Sequence, residues 1–503
     1  MRKAGAMSVL ALGAGSLAFG QDASSQAQKI AELQKQVDAM QAQLRSLQTE
    51  TPSGSLEARL DGAVRNSPVE ALREPRRLNI SAPGLDGLDI NGLVHIRGDY
   101  WANFDSGGGN NDVSSFGTEA QLGFDARVSE KTSVRIGLHY SDIWGNDTNH
   151  GLGGTSRLTD DSTSSADGDI TAFEANLRVG DLYGTGVDMI AGRQRIELGA
   201  ERIIGDDEWR LTRTSFDGFR FDNNLGDAAG RWTLLALRLH DSDNSGNREL
   251  LPIAPSAPNN NPINNADLYG FYYTVMPRDI GTIDAYFFHL EDFNYPAGME
   301  RTRFSTYGAR WASPDWEGLS FEAEGATQFG ELFGNKTDNY GFGTYALHGS
   351  AAFRPRDVEY FDGIHAAYDY ATGGNSPEEN FQQLFPSLHG WFGLTDMFGW
   401  SNIQHTTLGA SFDLGEGQLN LGYHWSRRAT TSAGFGGYNL SSASSGGNKP
   451  LGQEIDLTYV MECSKSTTVG MGIGYFFAGN GYHDLTGNSD NMMFGYFAAT
   501  TRF

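Results

Sequence analysis

The sequence predicts an all-β chain: a transmembrane antiparallel β-barrel of about 18 strands, preceded by a short helix of coiled-coil type. Three observations predict it. From Leu93 to Phe503 the chain repeats segments of roughly ten residues that alternate apolar with polar, each closed by a turn. Alternation puts every second side chain on one face, which is what a wall between lipid and a watery lumen requires. The connections between segments alternate short and long, and the last segment, Asn491–Phe503, ends on an aromatic residue. Mean hydropathy is only -0.42, as expected where lumen and loop residues offset the lipid-facing ones.

The elements follow in order. Residues 1–20 read as a signal peptide: Arg2 and Lys3 are the basic start, Met7–Leu17 is a short apolar run, and Ala18-Phe19-Gly20 is a small-residue cleavage site. That run is shorter than the ~20 residues a spanning helix needs. Residues 24–50 carry Ile30, Leu33, Val37, Met40, Leu44 and Leu47 at alternating three- and four-residue steps, a heptad pattern. One reading is a periplasmic coiled coil that sets a homo-oligomer or contacts the cell wall. The other is a single amphipathic helix lying on the barrel mouth. Residues 51–90, with scattered Pro, Gly and Ser, form a linker and a candidate lumen filler.

The barrel domain is 91–503. Its expected strands are Leu93–Phe104, Gly117–Ser129, Thr132–Trp144, Asp169–Gly180, Gly186–Gly199, Thr214–Asp222, Arg231–Asp241, Ala266–Met276 and Gly281–Asp292. The second half gives Thr302–Ser313, Leu319–Gly330, Gly343–Arg354, Ile364–Thr372, Gln404–Asp413, Gln418–Arg428, Gly452–Met461, Thr467–Ala478 and Asn491–Phe503. An even count suits a bacterial barrel with both ends in the periplasm. Ser129–Lys131, Pro277–Ile280, Ser313–Gly318, Asp413–Gly417 and Met461–Ser466 are then short periplasmic turns. Gly145–Gly168, Ser242–Asn265, Gly373–Ile403 and Ala429–Leu451 are long external loops, without a parity error.

Charge and cysteine usage exclude several classes. The formal charge of -25 disfavours nucleic acid as a partner. The single cysteine, Cys463, allows no intramolecular disulfide and falls in an expected turn. Asp241-Ser242-Asp243-Asn244-Ser245-Gly246 opens like a calcium loop, but its twelfth position is Pro252 rather than Glu. No zinc spacing, P-loop or nucleophile elbow occurs, so neither metal nor cofactor is expected. His389 with Asp396, or His150 with Asp160 and Ser162, are the residues that a hydrolase reading would use.

Apolar residues set the phase of each strand. Val94, Ile96, Tyr100 and Ala102 face lipid, so His95, Arg97, Asp99 and Trp101 face inward. The same logic turns Glu119, Gln121, Asp125, Arg127, Arg135, His139, Glu174, Asn176 and Arg178 inward. Arg238, His240, Arg310, Glu322, Glu324, Gln328, Glu454 and Asp456 follow. An unpaired Arg or Lys at the lipid midplane costs roughly 2–4 kcal/mol, which enforces this phasing. Two readings compete for the inward charges: a selectivity ring for anionic solutes, or a lattice of salt bridges that stiffens the wall.

Two blocks carry a resemblance. The first is Gly192-Arg193-Gln194-Arg195-Ile196-Glu197-Leu198-Gly199, then Glu201-Arg202-Ile203-Ile204-Gly205, Trp209 and Arg213 to Gly218. The second is Tyr368-Asp369-Tyr370-Ala371-Thr372-Gly373-Gly374-Asn375, then Phe381, Leu384-Phe385-Pro386, His389, Gly393, Asp396, Phe398 and Gly399. Their order and separation resemble the alginate export porin family. The resemblance implies an eighteen-stranded outer-membrane barrel passing an anionic polysaccharide through an arginine-rich constriction. By that analogy Arg193, Arg195, Arg202 and Arg213 lie at or near the constriction, with Arg97, Arg127 and Arg310 on the wall. Guanidinium suits this role, since it matches a uronate carboxylate bidentately and keeps its charge. Gly186–Asp222 leaves the phase open, because Arg193 and Arg195 share a face with Val187 and Met189, which a β-bulge would reconcile. The expected function is therefore a passive outer-membrane porin for anionic saccharide or other small anions, without catalytic residues. The alternatives are a structural or adhesive barrel tethered to the cell wall, and an outer-membrane hydrolase.

Overall fold

The structure, a computed structural model, describes residues 78–80, 86–103, 112–144, 167–238, 266–292, 302–331, 344–432, 435–436, 441–442 and 445–503, apart from positions 212, 227–228, 357 and 376–378. The expected signal peptide, the expected heptad helix, most of the expected linker, the calcium-like loop and His240 lie outside these residues.

A short strand, β1 (Leu78–Ile80), is followed by β2 (Gly87–Ala102), β3 (Val113–Ser129), β4 (Thr132–Ile143), β5 (Asp167–Val179), β6 (Val187–Gln194), β7 (Phe216–Asn224), β8 (Arg231–Arg238) and β9 (Ala266–Val275). Next come β10 (Thr282–Asp292), β11 (Arg303–Ala312), β12 (Leu319–Glu331), β13 (Thr344–Phe353), β14 (Gly363–Ala371), β15 (Ile403–Leu414) and β16 (Gly417–Arg428). A small hairpin, β17 (Phe435–Gly436) with β18 (Ser441–Ser442), precedes β19 (Pro450–Ser464), β20 (Thr467–Ala478) and β21 (Met492–Arg502). A helix, α1 (Asn480–Thr486), lies between the last two. Leaving out β1, β17 and β18, eighteen strands pair antiparallel with their neighbours in one sheet. The sheet closes where β2 meets β21, from Leu93↔Arg502 to Ala102↔Met493.

Closure and alternation account for a membrane-spanning wall. No sheet edge is left to lipid, and each backbone group in the ladder is paired within the wall. Outward positions are large and apolar, including Ile136, Leu234, Phe271, Leu347, Leu408 and Phe497. Inward positions on the same strands are polar and buried: in β12, Ser320, Glu322, Glu324 and Gln328 alternate with outward Phe321, Ala323 and Gly325. Among the described residues, no helix is long and apolar enough to cross a membrane.

Every expected strand is present, but four details differ. β2 begins at Gly87 rather than Leu93, because Leu88 and Ile90 continue its alternation and pair with β3 and β1. Cys463 belongs to β19 rather than a turn; it is the exposed residue at a register shift between Glu462 and Ser464. The fifth wall strand stops at Gln194 instead of Gly199. The fourth difference is the largest: neither 195–215 nor 372–402 stands outside the barrel. Both segments hydrogen-bond to inward-facing wall residues, and nearly every described residue of 380–402 is buried.

Candidate pore constriction

The entry of 195–215 into the lumen starts from two glycines. Gly192 and Gly218 are register partners on β6 and β7, with φ of 120° and 153°. A Cβ on Gly192 would lie 2.2 Å from the Ala175 carbonyl oxygen, and one on Gly218 2.3 Å from that of Ala236. Only glycine tolerates both the torsion and the approach. The hairpin bends there, and the chain between leaves the wall.

The two inward segments join each other. Gly205 N–H donates to the Phe385 carbonyl at 2.7 Å, Phe385 N–H to Ile203 at 2.8 Å and Ser387 N–H to Glu201 at 3.0 Å. Ile204 and Phe385 form a parallel bridge. Trp209 stacks on His389 with ring centroids 3.5 Å apart. Ile196, Ile203, Ile204, Phe381, Leu384 and Phe385 are buried in one apolar cluster. The two sequence blocks that carry the family resemblance are thus the two segments that meet in the lumen.

Three polar clusters fasten this unit to the wall. In the first, charges alternate through the lumen. Arg135 on β4 bridges Asp125 and Glu174, each at 2.7 Å. Glu174 lies 3.7 Å from Arg195, which reaches Asp206 at 3.0 Å. Asp206 lies 3.2 Å from Arg213, which also holds Glu119 and Glu208 at 2.9 Å. In the second, Arg202 contacts Glu322 and Glu324, the latter at 3.0 Å, and stacks 3.9 Å over Trp391. Arg310 holds Glu322 with two bonds of 3.1 Å and Asp284 with a third of 3.1 Å. In the third, two wall carboxylates accept backbone amides of the second segment: Asp456 from Leu394 at 3.0 Å and Glu454 from Thr395 at 2.8 Å.

The sequence-predicted arginines divide into three groups. Arg97, Arg202, Arg213 and Arg310 are sequestered, with side chains 0 to 8% exposed. Arg97 pairs with Asp99 at 3.1 Å, donates to the Trp209 carbonyl and lies 4.0 Å over the Trp209 ring. Arg195 and Arg127 face the lumen and remain accessible, at 24% and 52%. Arg127 lies near the end of β3, beside the short turn to β4 and 4.0 Å from Asp89. Arg193 does not belong to the constriction. It is the register partner of Asp217, whose face carries the 50%-exposed Phe219, so it points out of the barrel. There it holds Asp217 bidentately with two bonds of 2.9 Å.

Arg238 also points outward, against the phase expected for it, since Leu235 and Leu237 occupy the inward positions of β8. It pairs with Asp267 at 2.8 and 3.1 Å. Sequence reasoning missed Arg502, which lies inward at the end of β21 within 3.5 Å of Glu208. Among the inward charges, Glu197 is half-exposed and 3.7 Å from Arg195. The carboxylate of Asp206, together with desolvation, pushes the Glu197 carboxyl up to about 8. His389 and Asp396 do meet, at 2.7 Å, but both are buried and the imidazole face is covered by Trp209. Among the described residues no cluster of His, Cys, Asp and Glu has the arrangement of a metal site.

A closed eighteen-stranded barrel with an apolar outer belt and a polar lumen narrowed by inward segments defines an outer-membrane porin. The match of residues 87–496 places the chain in the alginate export family, the lineage that the two lumen segments had suggested. Solved structures of similar fold include the outer membrane protein opdK from Pseudomonas aeruginosa, with TM-score 0.54 and 14% identity over 82% of this chain and 98% of that one. Acinetobacter baumannii OccAB1 gives 0.53 and 12%, over 82% and 97%. Pseudomonas aeruginosa OccD3 (OpdP) gives 0.52 and 13%, over 88% and 97%. No curated protein matches the chain. Family and fold are those of transport barrels rather than enzymes.

Proposed function

We propose that this porin passes solutes bearing carboxylates, acidic oligo- or polysaccharides of the alginate type, and that Arg195 is the principal contact. The observation that carries the reading is the contrast between Arg195 and its neighbours. Arg202, Arg213 and Arg310 are consumed by buried carboxylates, whereas the Arg195 guanidinium keeps a water-facing side at the margin of the joined segments. Arg135, 25% exposed, and Arg127 continue this accessible face along β4 and β3. Each has a carboxylate nearby, so a passing carboxylate exchanges with a protein one rather than entering a bare cation. Weak exchangeable contacts in series let a chain slide where one tight site would hold it.

The similar fold of Pseudomonas aeruginosa OpdK, solved with vanillate, is consistent with a small carboxylate in such a barrel. A periplasmic heptad helix over 24–50, acting in oligomerisation or as a cell-wall contact, belongs to the same proposal. The test is block of single-channel current by oligouronates against neutral oligosaccharides of equal length. Selective block by the acidic series, weakened at least tenfold in Arg195→Gln, is expected. Equal block by both series refutes the carboxylate reading. A second reading, a structural or adhesive barrel, is favoured by the burial of 380–402, and absence of any current from a folded barrel would support it.

A further inference from the structure

The outer wall carries a groove of about 750 Å³ across β16, β19, β20, β21, β2 and β3. Its course follows the hydrogen-bond register. Leu419, Tyr459, Met471, Phe497, Gly98 and Phe116 are successive partners from β16 to β3. The next outward row, nearer the external loops, contains Leu457, Ile473, Gly495 and Tyr100, again in register. The trough lies between the two rows. Gly495 opens it: a Cβ there would meet only the Gly472 carbonyl oxygen, at 3.7 Å. Phe497, Ile473, Leu457 and Tyr100, all 40 to 53% exposed, form its banks.

Its dimensions select an occupant. Six strands give five spacings of ~4.8 Å, so the trough is roughly 24 Å long. It runs across strands that tilt about 40° in such barrels, so it climbs roughly 15 Å along the membrane normal, about one leaflet of a ~30 Å hydrocarbon core. Its low end, at Leu419, is two residues above the periplasmic start of β16 at Gly417. The two bounding rows are two residues apart along each strand, about 6.7 Å, too narrow for the broad convex wall of a second barrel. A single flexible hydrocarbon chain can.

We propose that the groove binds one acyl chain of a phospholipid of the periplasmic leaflet, with its headgroup beside the turn that precedes β16. Each methylene taken from bulk lipid gains little, so retention comes from shape: the rings and Met471 close on the chain and restrict its exchange.

Native mass spectrometry of the full mature barrel, purified in detergent and supplied with phosphatidylethanolamine, tests this. The wild type should keep one phosphatidylethanolamine at a collision energy that strips other adducts. Gly495→Trp fills the trough and should lower that occupancy at least tenfold, while Gly495→Ala retains it. Heat-modifiable electrophoretic mobility verifies that both variants are folded, and an unfolded Trp variant is replaced by Gly495→Leu. No retained lipid in the wild type, or equal retention in the bulky variant, overturns the proposal. So does retained lipopolysaccharide in place of phospholipid, or a dimer that Gly495→Trp abolishes.

Discussion

Arg202→Met is the perturbation whose effect can be worked out most fully. Arg202 lies in the first inward segment and is 3% exposed, yet it is the guanidinium that ties that segment to Glu322 and Glu324 on β12. Removing it does not strand both carboxylates. Glu322 keeps the two 3.1 Å bonds from Arg310, and Glu324 keeps only the Tyr286 hydroxyl at 2.8 Å. One poorly compensated buried carboxylate therefore remains, placing the loss near the low end of the ~3–5 kcal/mol range for breaking a buried pair. Loss of the stack on Trp391 adds roughly 0.5–1 kcal/mol. The wall itself keeps its ladder, so the loss falls on the seating of the segment rather than on the barrel.

At ~1.4 kcal/mol per decade, the total of roughly 3.5–4 kcal/mol raises the open population several hundredfold. Hydrogen exchange with mass spectrometry reads this at the amides of Gly205 and Phe385, which bond only between the two segments. Exchange there should quicken several hundredfold, with β12 and β13 unchanged. Unchanged protection at Gly205 and Phe385, or equal acceleration throughout the wall, would refute the reasoning that this ion pair seats the segment.

The other predictions concern neighbouring parts. Arg193→Ala should leave ion selectivity unaltered and cost at most about 1 kcal/mol, because its partner Asp217 shares a partly exposed outer face; a selectivity change in reversal-potential recordings would return Arg193 to the lumen. Gly192→Ala combines a φ of 120° with an approach of 2.2 Å to a carbonyl oxygen, and should cost roughly 2–4 kcal/mol. Refolding yield and urea midpoint measure it, and wild-type values would contradict the bend. Glu197 gives a pH dependence: its carboxyl, raised from 4.5 to about 8, holds its proton more tightly in the fold than in the unfolded chain. Its contribution to stability therefore falls as pH rises from the lower value to the upper, and anion preference should drop as the group ionises through about 8. Glu197→Gln should flatten both profiles, and an unchanged profile would remove Glu197 from the pore.

The wall was legible in the sequence because period-two alternation and turn parity report directly on a two-sided sheet. Glu322, Glu324, Asp456 and Arg310 could be phased because apolar neighbours on the same strand declared the lipid face. Arg238 departs from its expected phase because, near a strand's end, a charge paired with Asp267 is tolerable on the outer face. Arg193 was placed in the constriction by the family resemblance, while its shared face with Val187 and Met189 left its phase open. The inward course of 195–215 and 372–402 was not legible from alternation, since a long polar connection looks the same whether it stands in solvent or folds into the lumen. The signal was present in another form. Residues 195–215 and 381–400 are rich in Ile, Leu, Phe and Trp, which an exposed loop has no reason to carry. Arg502 shares the inward phase of Ala498 and Thr500, but a charge one residue from the aromatic end reads equally as a solvated terminal side chain.

Reversal potential in a salt gradient, measured on single channels of the refolded protein with Arg195→Glu beside it, decides whether Arg195 sets the ion preference of the lumen. The wild type should prefer anions, and the variant should shift toward cations. A cation-preferring wild type, or a variant with the same reversal potential, would contradict it.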